Sequence, residues 1–246
     1  MNSPTTATPP RKRTLTYNQL TSCPDMEPEF VAIYEPLRRL TITSLERMYG
    51  LYKAVEYIVQ HRLPGDIVEC GIWKGGSAML CAQALQQFGD TTRTLWLYDT
   101  FEGMTEPTAA DVDYDGTTAD DIMVTHGITD LTEWCASPLA EVRSHIQSTG
   151  YPSDRVRYVE GRVEHTIPGQ APDTIALLRL DTDWHASTQH EMEHLYPRLI
   201  TGGVLIIDDY GHWQGARRAV DDYFNQHQIS MLLNRLDYTG RIGIKP

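Results

Sequence analysis

Two pairs of aspartates close two apolar runs: Asp181-Thr-Asp183 follows IALLRL at 175–180, and Asp208-Asp209 follows VLII at 204–207. If these runs are neighbouring strands, four carboxylates meet at one sheet edge, and their mutual repulsion calls for a cation. All-oxygen ligands suit a hard ion such as Mg2+, with water and substrate completing a near-octahedral shell. A single aspartate at such a place reads as a helix or turn cap. The doubled pattern favours a metal. His185 and His212 follow the two acidic pairs closely, with Trp184 and Trp213 beside them. They could line a pocket, and His185 could supply a general base, or they could simply pack. Lys74 and Arg179 carry little information by themselves, and Arg217-Arg218 reads as a solvated helix face.

A second constellation is Glu69-Cys-Gly71-Ile-Trp-Lys-Gly75-Gly76-Ser77, followed by Asp99 and then Gly161 at the ends of later apolar runs. Glycines after a first strand let the backbone turn tightly and approach a ligand, and an acid ending the next strand can take ribose hydroxyls. The spacing is not G-x-G-x-x-G, which disfavours a nicotinamide dinucleotide, and no G-x-x-x-x-G-K-[ST] exists to cradle a triphosphate. By themselves the glycines are explained nearly as well by a plain strand-to-helix bend.

The elements that must position these residues alternate. Strands are predicted at 66–71, 94–98, 156–159, 175–180 and 204–207, separated by helices at 76–88, 139–147, 187–195 and 215–227. Alternation of this kind implies an α/β fold with a mostly parallel, doubly wound sheet covered on both faces. In such sheets ligands bind beyond the carboxyl ends of the strands, where both constellations lie. Residues 229–236 and 241–244 flank Asp237-Tyr238-Thr239-Gly240 and read as a terminal antiparallel pair. Apolar residues at helical spacing from Glu29 to His61 predict two helices ahead of the sheet. Residues 1–28, opening on three prolines and Arg11-Lys12-Arg13, read as a flexible tail, 29–62 as amino-terminal helices, and 63–246 as the main domain. A weakly periodic insertion at 102–137 interrupts that domain. Between Arg93 and Arg143 lie 11 acidic residues and no Lys or Arg, so the segment reads as an acidic lid or a solvated insertion.

Composition narrows the function classes. With 33 acidic against 21 basic residues and a net charge of −12, a nucleic-acid surface has no electrostatic footing. No apolar run approaches the ~18–20 residues that cross a bilayer, and no charged start leads into an apolar stretch, so the expectation is a cytoplasmic protein with no membrane partner. Cys23, Cys70, Cys81 and Cys135 show no metal-ligand spacing and read as core or incidental thiols.

Taken together, 65–76 (GDIVECGIWKGG), 98–103 (YDTFEG), Gly161 with Thr166-Ile-Pro168, 178–183 (LRLDTD), 196–199 (YPRL) and 202–210 (GGVLIIDDY) resemble the macrocin O-methyltransferase (TylF-type) family. The resemblance implies a class I methyltransferase sheet and an enzyme that uses S-adenosylmethionine and Mg2+ to methylate a sugar hydroxyl of a glycosylated natural product. It further implies cofactor contacts by Thr41, Glu69, Gly71, Ser77, Asp99, Phe101, Gly161 and Arg162, and a metal held by Asp181, Asp208 and Asp209. The general base would be Asp181 or, less favoured, Asp183 or His185. Where the family often has Asp-Gly-Asp-Ser-Tyr, this chain has Asp181-Thr-Asp183-Trp184-His185, which leaves the acceptor open between a deoxysugar, another natural-product hydroxyl and a catechol-like phenol. A non-catalytic cofactor-binding homologue and a homo-oligomer sharing its amino-terminal helices are both compatible with the resemblance.

Overall fold

The computed structural model describes residues 25–130 and 134–246; most of the tail expected at 1–28, with Cys23, lies outside them. Seven strands form one sheet in the order β3-β2-β1-β4-β5-β7-β6. They are β1 (Asp66–Cys70), β2 (Leu95–Asp99), β3 (Val156–Glu160), β4 (Ile175–Leu180), β5 (Leu199–Ile207), β6 (Asn234–Arg235) and β7 (Arg241–Ile244). The first five pair in parallel, and β7 runs antiparallel to both β5 and β6. Chain order reverses between β1 and β4, the place where such sheets open a crevice. The helices are α1 (Pro28–Leu37), α2 (Leu45–Gln60), α3 (Gly76–Gln87), α4 (Ala119–His126), α5 (Leu139–Ser148), α6 (Val163–Thr166), α7 (His185–His194) and α8 (Gln214–Gln226).

The pleat sorts the apolar strand residues onto two faces. Ile67, Leu177 and Ile206 pack with Met48, Val55 and Leu80 from α2 and α3. Val68, Leu178 and Ile207 pack with Met192 of α7 and Val220 of α8. Burial on both faces explains why the strands are apolar runs rather than alternating ones.

Two expectations change in detail. The outer strand predicted at 229–236 shrinks to Asn234–Arg235, because it is the sheet edge, where Leu232 stays 76% exposed and no partner strand extends the ladder. The weakly periodic insertion contains a helix, α4, which begins where the Thr118 side chain accepts a hydrogen bond from Asp121 N and ends on Gly127 at φ 68°. A third, small apolar cluster of Ala119, Trp184, Trp213 and Ala216 joins the insertion to the starts of α7 and α8. Asp111, fully buried, accepts the His185 backbone N–H at 2.7 Å, and Gln214 donates through its backbone to Val112 O at 2.9 Å.

Gly71 carries the close approach on which the crevice depends. It has φ 82°, and a Cβ there would lie 2.0 Å from Asp181 O. Both the left-handed backbone and the contact with β4 exclude a side chain. The Gly71→Ala variant is therefore expected to lose at least about 2 kcal/mol of unfolding free energy, measurable by urea denaturation; a loss below about 0.5 kcal/mol would contradict this reading of the turn.

Candidate active site

The crevice beyond β1, β2 and β4 opens into a cleft. Its floor is the glycine turn, held by Asp99: Oδ2 accepts the backbone N–H of Ile72 at 2.7 Å and of Trp73 at 3.0 Å, and Oδ1 accepts that of Phe101 at 2.8 Å. Asp99 thus does a job beyond the ribose contact expected of it, since it fixes two loops of the cleft against each other. The linker between α1 and α2 crosses above, with Gly76 N donating to Leu40 O at 3.0 Å. A Cβ on Gly76 would stand 2.5 Å from that carbonyl, so the linker's Thr41, Ile42 and Thr43 can close one wall of the cleft.

Of the expected cofactor contacts, Thr41, Gly71, Ser77, Asp99, Gly161 and Arg162 line this cleft, together with Asp181 and Asp183. Glu69 and Phe101 are not among its wall residues. Phe101 is buried behind its own left-handed turn, φ 57°. Glu69 turns away because it is register partner to Arg179 on the face covered by α2 and α3. There its carboxylate accepts a short hydrogen bond from Ser77 Oγ and an ion pair from Arg179 Nη1 at 2.5 Å.

Arg179 organises the sheet edge. It is 1% exposed, and its guanidinium reaches Asp181 Oδ2 at 2.7 Å, Asp208 Oδ1 at 2.6 Å and Thr43 Oγ1 at 3.0 Å as well as Glu69. Asp208 takes a second cation, Arg47 from the first turn of α2, on Oδ2; the same Arg47 pairs through Nε with Asp237 Oδ2 at 3.0 Å. Arg47, Thr43 and Asp237 were not singled out by sequence reading, and nothing local marks them. Arg179 did leave a signal: a cation inside a strand that is otherwise apolar must find buried counter-charges.

The remaining carboxylates outnumber their counter-ions. Oxygens of Asp181, Asp208 and Asp209 lie within 4.8 Å of one another, and Asp209 Oδ2 is buried without a hydrogen-bond partner among the described residues. Burial pushes the Asp181 carboxyl up to about 7, against the pull of Arg179 and with the charge of Asp209 adding to the rise. Burial likewise lifts Asp183 to about 6, and burial followed by the Asp183 charge lifts Asp209 far above the ordinary carboxylate range. Such a group must hold protons or bind a cation. The unpartnered Asp209 oxygen and the all-oxygen donor set fit a hard divalent ion. Asp183 sits at φ 69°, a left-handed conformation rare for a residue with a side chain; it lines the cleft and has no Lys or Arg ion pair among the described residues. His185 is not brought to the cleft: it opens α7, where the insertion's Asp111 fixes its backbone N–H. Cys135 does line the cleft, and burial together with Asp183 and Asp181 pushes its thiol up to about 12, so it stays protonated at neutral pH.

Residues 18–242 match the macrocin O-methyltransferase (TylF) family. The chain belongs to that family. It is 36% identical over 217 residues to a Streptomyces olivaceus enzyme, the 8-demethyl-8-(2,3-dimethoxy-alpha-L-rhamnosyl)-tetracenomycin-C 4'-O-methyltransferase, covering 88% of this chain and 80% of the relative. It is 32% identical over 200 residues to the mycinamicin III 3''-O-methyltransferase of Micromonospora griseorubida, covering 81% and 76%. The solved structure of the O-methyltransferase NovP superposes with a TM-score of 0.72 at 31% identity, covering 83% of this chain and 81% of that one. The chain is thus an O-methyltransferase with the Rossmann-like class I sheet. Among the described residues no helix is long and apolar enough to cross a membrane.

Two outcomes follow for this TylF-family site. Arg179→Met leaves Glu69, Asp181 and Asp208 without their shared counter-charge and should cost about 3–5 kcal/mol of unfolding free energy at pH 8, less at pH 5, where carboxyls can protonate; equal losses at both pH values would contradict it. In the metal-free protein, Asp181, Asp183 and Asp209 bind protons more tightly folded than unfolded. Their contribution is complete below about pH 4 and is lost as pH rises through about 6 to 7 and beyond. Acids held below their usual values, such as Asp90 and Asp237, have finished titrating by then. Metal-free stability should accordingly fall from pH 5 to pH 8 in urea titrations, and a rise would count against the cluster.

Proposed function

We propose that the chain transfers a methyl group from S-adenosylmethionine to a sugar hydroxyl of a glycosylated natural product, with Mg2+ held by Asp181, Asp208 and Asp209. The observation that carries this reading is the surplus of half-buried carboxylates at the inner end of the cleft, where Asp181 borders both the cleft and the metal-competent cluster. The cleft wall contains Asp99, Glu164, Asp181 and Asp183 against a lone Arg162, which is itself paired with Glu106 at 2.6 Å. That balance favours a cationic sulfonium donor and weakens the hold on its neutral product. It also disfavours a nucleoside diphosphate sugar, whose charges would meet carboxylates. The names of the tetracenomycin and mycinamicin relatives describe methylation of larger natural products, one of them a rhamnoside.

The sulfonium is a good leaving group, so the protein's work is to align methyl and oxygen and to remove a proton from a weakly acidic hydroxyl. A divalent cation supplies the charge that lowers that hydroxyl's pKa. Asp181 pairs with Arg179 and would share the cation, which leaves Asp183 as the base: it borders the cleft and has no Lys or Arg ion pair among the described residues. Ala119, Met104, Ile122 and Trp134 of the insertion pack with Trp184 and Trp213, which suits the insertion to act as a lid over the transfer.

Asp183→Asn should lower kcat by about 10^2- to 10^4-fold while S-adenosylhomocysteine affinity, measured by calorimetry, stays within about threefold of wild type. Unchanged turnover would remove Asp183 from the role. A screen of desmethyl glycosides and catechols with S-adenosylmethionine, with and without chelator, tests the reaction itself; transfer that survives full chelation would end the metal role.

A further inference from the structure

Building on the proposed function, we infer that Tyr114, His212 and Tyr238 form the acceptor-recognition surface, an aromatic platform on which the ring of the sugar to be methylated stacks. The three side chains come from the insertion, the β5–α8 loop and the turn before β7. Their rings converge nonetheless: His212 lies 5.8 Å from Tyr114 and 5.9 Å from Tyr238, centroid to centroid.

The segments that carry the three rings are tied to the backbone around Asp209. His212 and Trp213 donate their backbone N–H groups to Asp209 O at 3.0 and 2.9 Å. Asp113 bridges to Trp213 as an isolated antiparallel pair, and its Oδ1 accepts the N–H groups of Asp115 at 3.1 Å and Thr117 at 2.9 Å, which sets the turn carrying Tyr114. Gly211 donates to Thr239 O at 2.9 Å, and Thr239 Oγ1 donates to Asp208 O at 2.8 Å. A Cβ on Gly211 would stand 2.3 Å from Tyr238 O, so the turn before β7 is pressed against the loop that follows the metal-competent pair.

Despite these anchored backbones, Tyr114 and Tyr238 are 60% and 59% exposed. Tyrosines on anchored backbone have only two side-chain torsions to fix when something covers them, which keeps the entropic cost of the contact low. The side of the cluster also matters. Asp181 and Asp183 border the cofactor cleft and Asp208 and Asp209 do not, so an in-line acceptor has to arrive from the Asp209 side, where the three rings stand. Their chemistry selects among acceptors. Tyr238 Oη stands 3.5 Å from His212 Nδ1, so the two rings also meet through their polar edges. Such rings present π-faces to the C–H bonds of a pyranose, with phenol hydroxyls at their edges for its hydroxyl groups.

The test uses the full chain saturated with S-adenosylhomocysteine and Mg2+, and p-nitrophenyl α-L-rhamnopyranoside as the probe, read by saturation-transfer NMR and calorimetry. Tyr114→Ala and Tyr238→Ala should each weaken probe binding by about tenfold, as expected for loss of one stacked ring. The Phe variants should stay within about threefold of wild type, and S-adenosylhomocysteine affinity should be unchanged throughout. Alanine variants that bind the probe like wild type, or a wild type that does not bind it, overturn the platform. The underlying reading is judged separately, by methyl transfer from wild type to the acceptor panel. Transfer to a glycoside with a KM untouched by both alanine changes defeats the platform alone, whereas absence of cofactor binding defeats the reaction on which it rests.

Discussion

A guanidinium buried in the middle of a parallel sheet sets the terms for this active site. Arg179 cannot reach water, so its charge must be matched from within. The pleat supplies the match by parity: Glu69 on β1 is its register partner, Asp208 follows Ile206 on the same face of β5, and Asp181 lies two residues beyond Arg179 itself. One cation thereby ties three strand ends together and aims three carboxylates at the same place. Thr43 and Arg47 complete the arrangement from the amino-terminal helices. Arg47 continues it to Asp237 at the carboxyl-terminal turn. Segments nearly 200 residues apart in sequence are joined through this single charge network.

That network divides the carboxylates into two groups with different chemistry. Glu69 and Asp208 are neutralised by arginines and act structurally in the metal-free chain. Asp183 and Asp209 have no such partner, and Asp181 has only a share of one. Asp181 and Asp183 border the cleft and Asp209 lies beside them, so unmatched negative charge is concentrated at this end of the sheet. Membership of the TylF family accounts for methyl transfer. The charge distribution accounts for the acidity of the cleft wall at this end of the sheet.

Much of this was readable from residues alone, for physical reasons that differ between elements. Strands buried on both faces must be apolar runs, so β1, β2, β4 and β5 declared themselves, and acids ending β4 and β5 fall at the carboxyl edge by topology. Gly71 and Gly76 were visible as a glycine turn, but the close approaches that require them, to Asp181 O and Leu40 O, are tertiary facts. The insertion resisted because its order comes from contacts such as Asp111 with His185 and the Trp184–Trp213 pair, not from helical periodicity. The pairing of Glu69 with Arg179 follows from strand register, which a single sequence does not display. Arg47 and Asp237 left no local trace because their pairing is purely long-range.

The account stands or falls on whether a divalent ion occupies the carboxylate cluster. The most direct measurement is anomalous diffraction from crystals of the full chain grown with Mn2+ and S-adenosylhomocysteine. The account predicts one strong peak within coordination distance of carboxylate oxygens from Asp181, Asp208 and Asp209, beside a cofactor lying in the cleft floored by Gly71. A cofactor-loaded structure with no peak there, and with Arg47 and Arg179 alone neutralising Asp208, would contradict it.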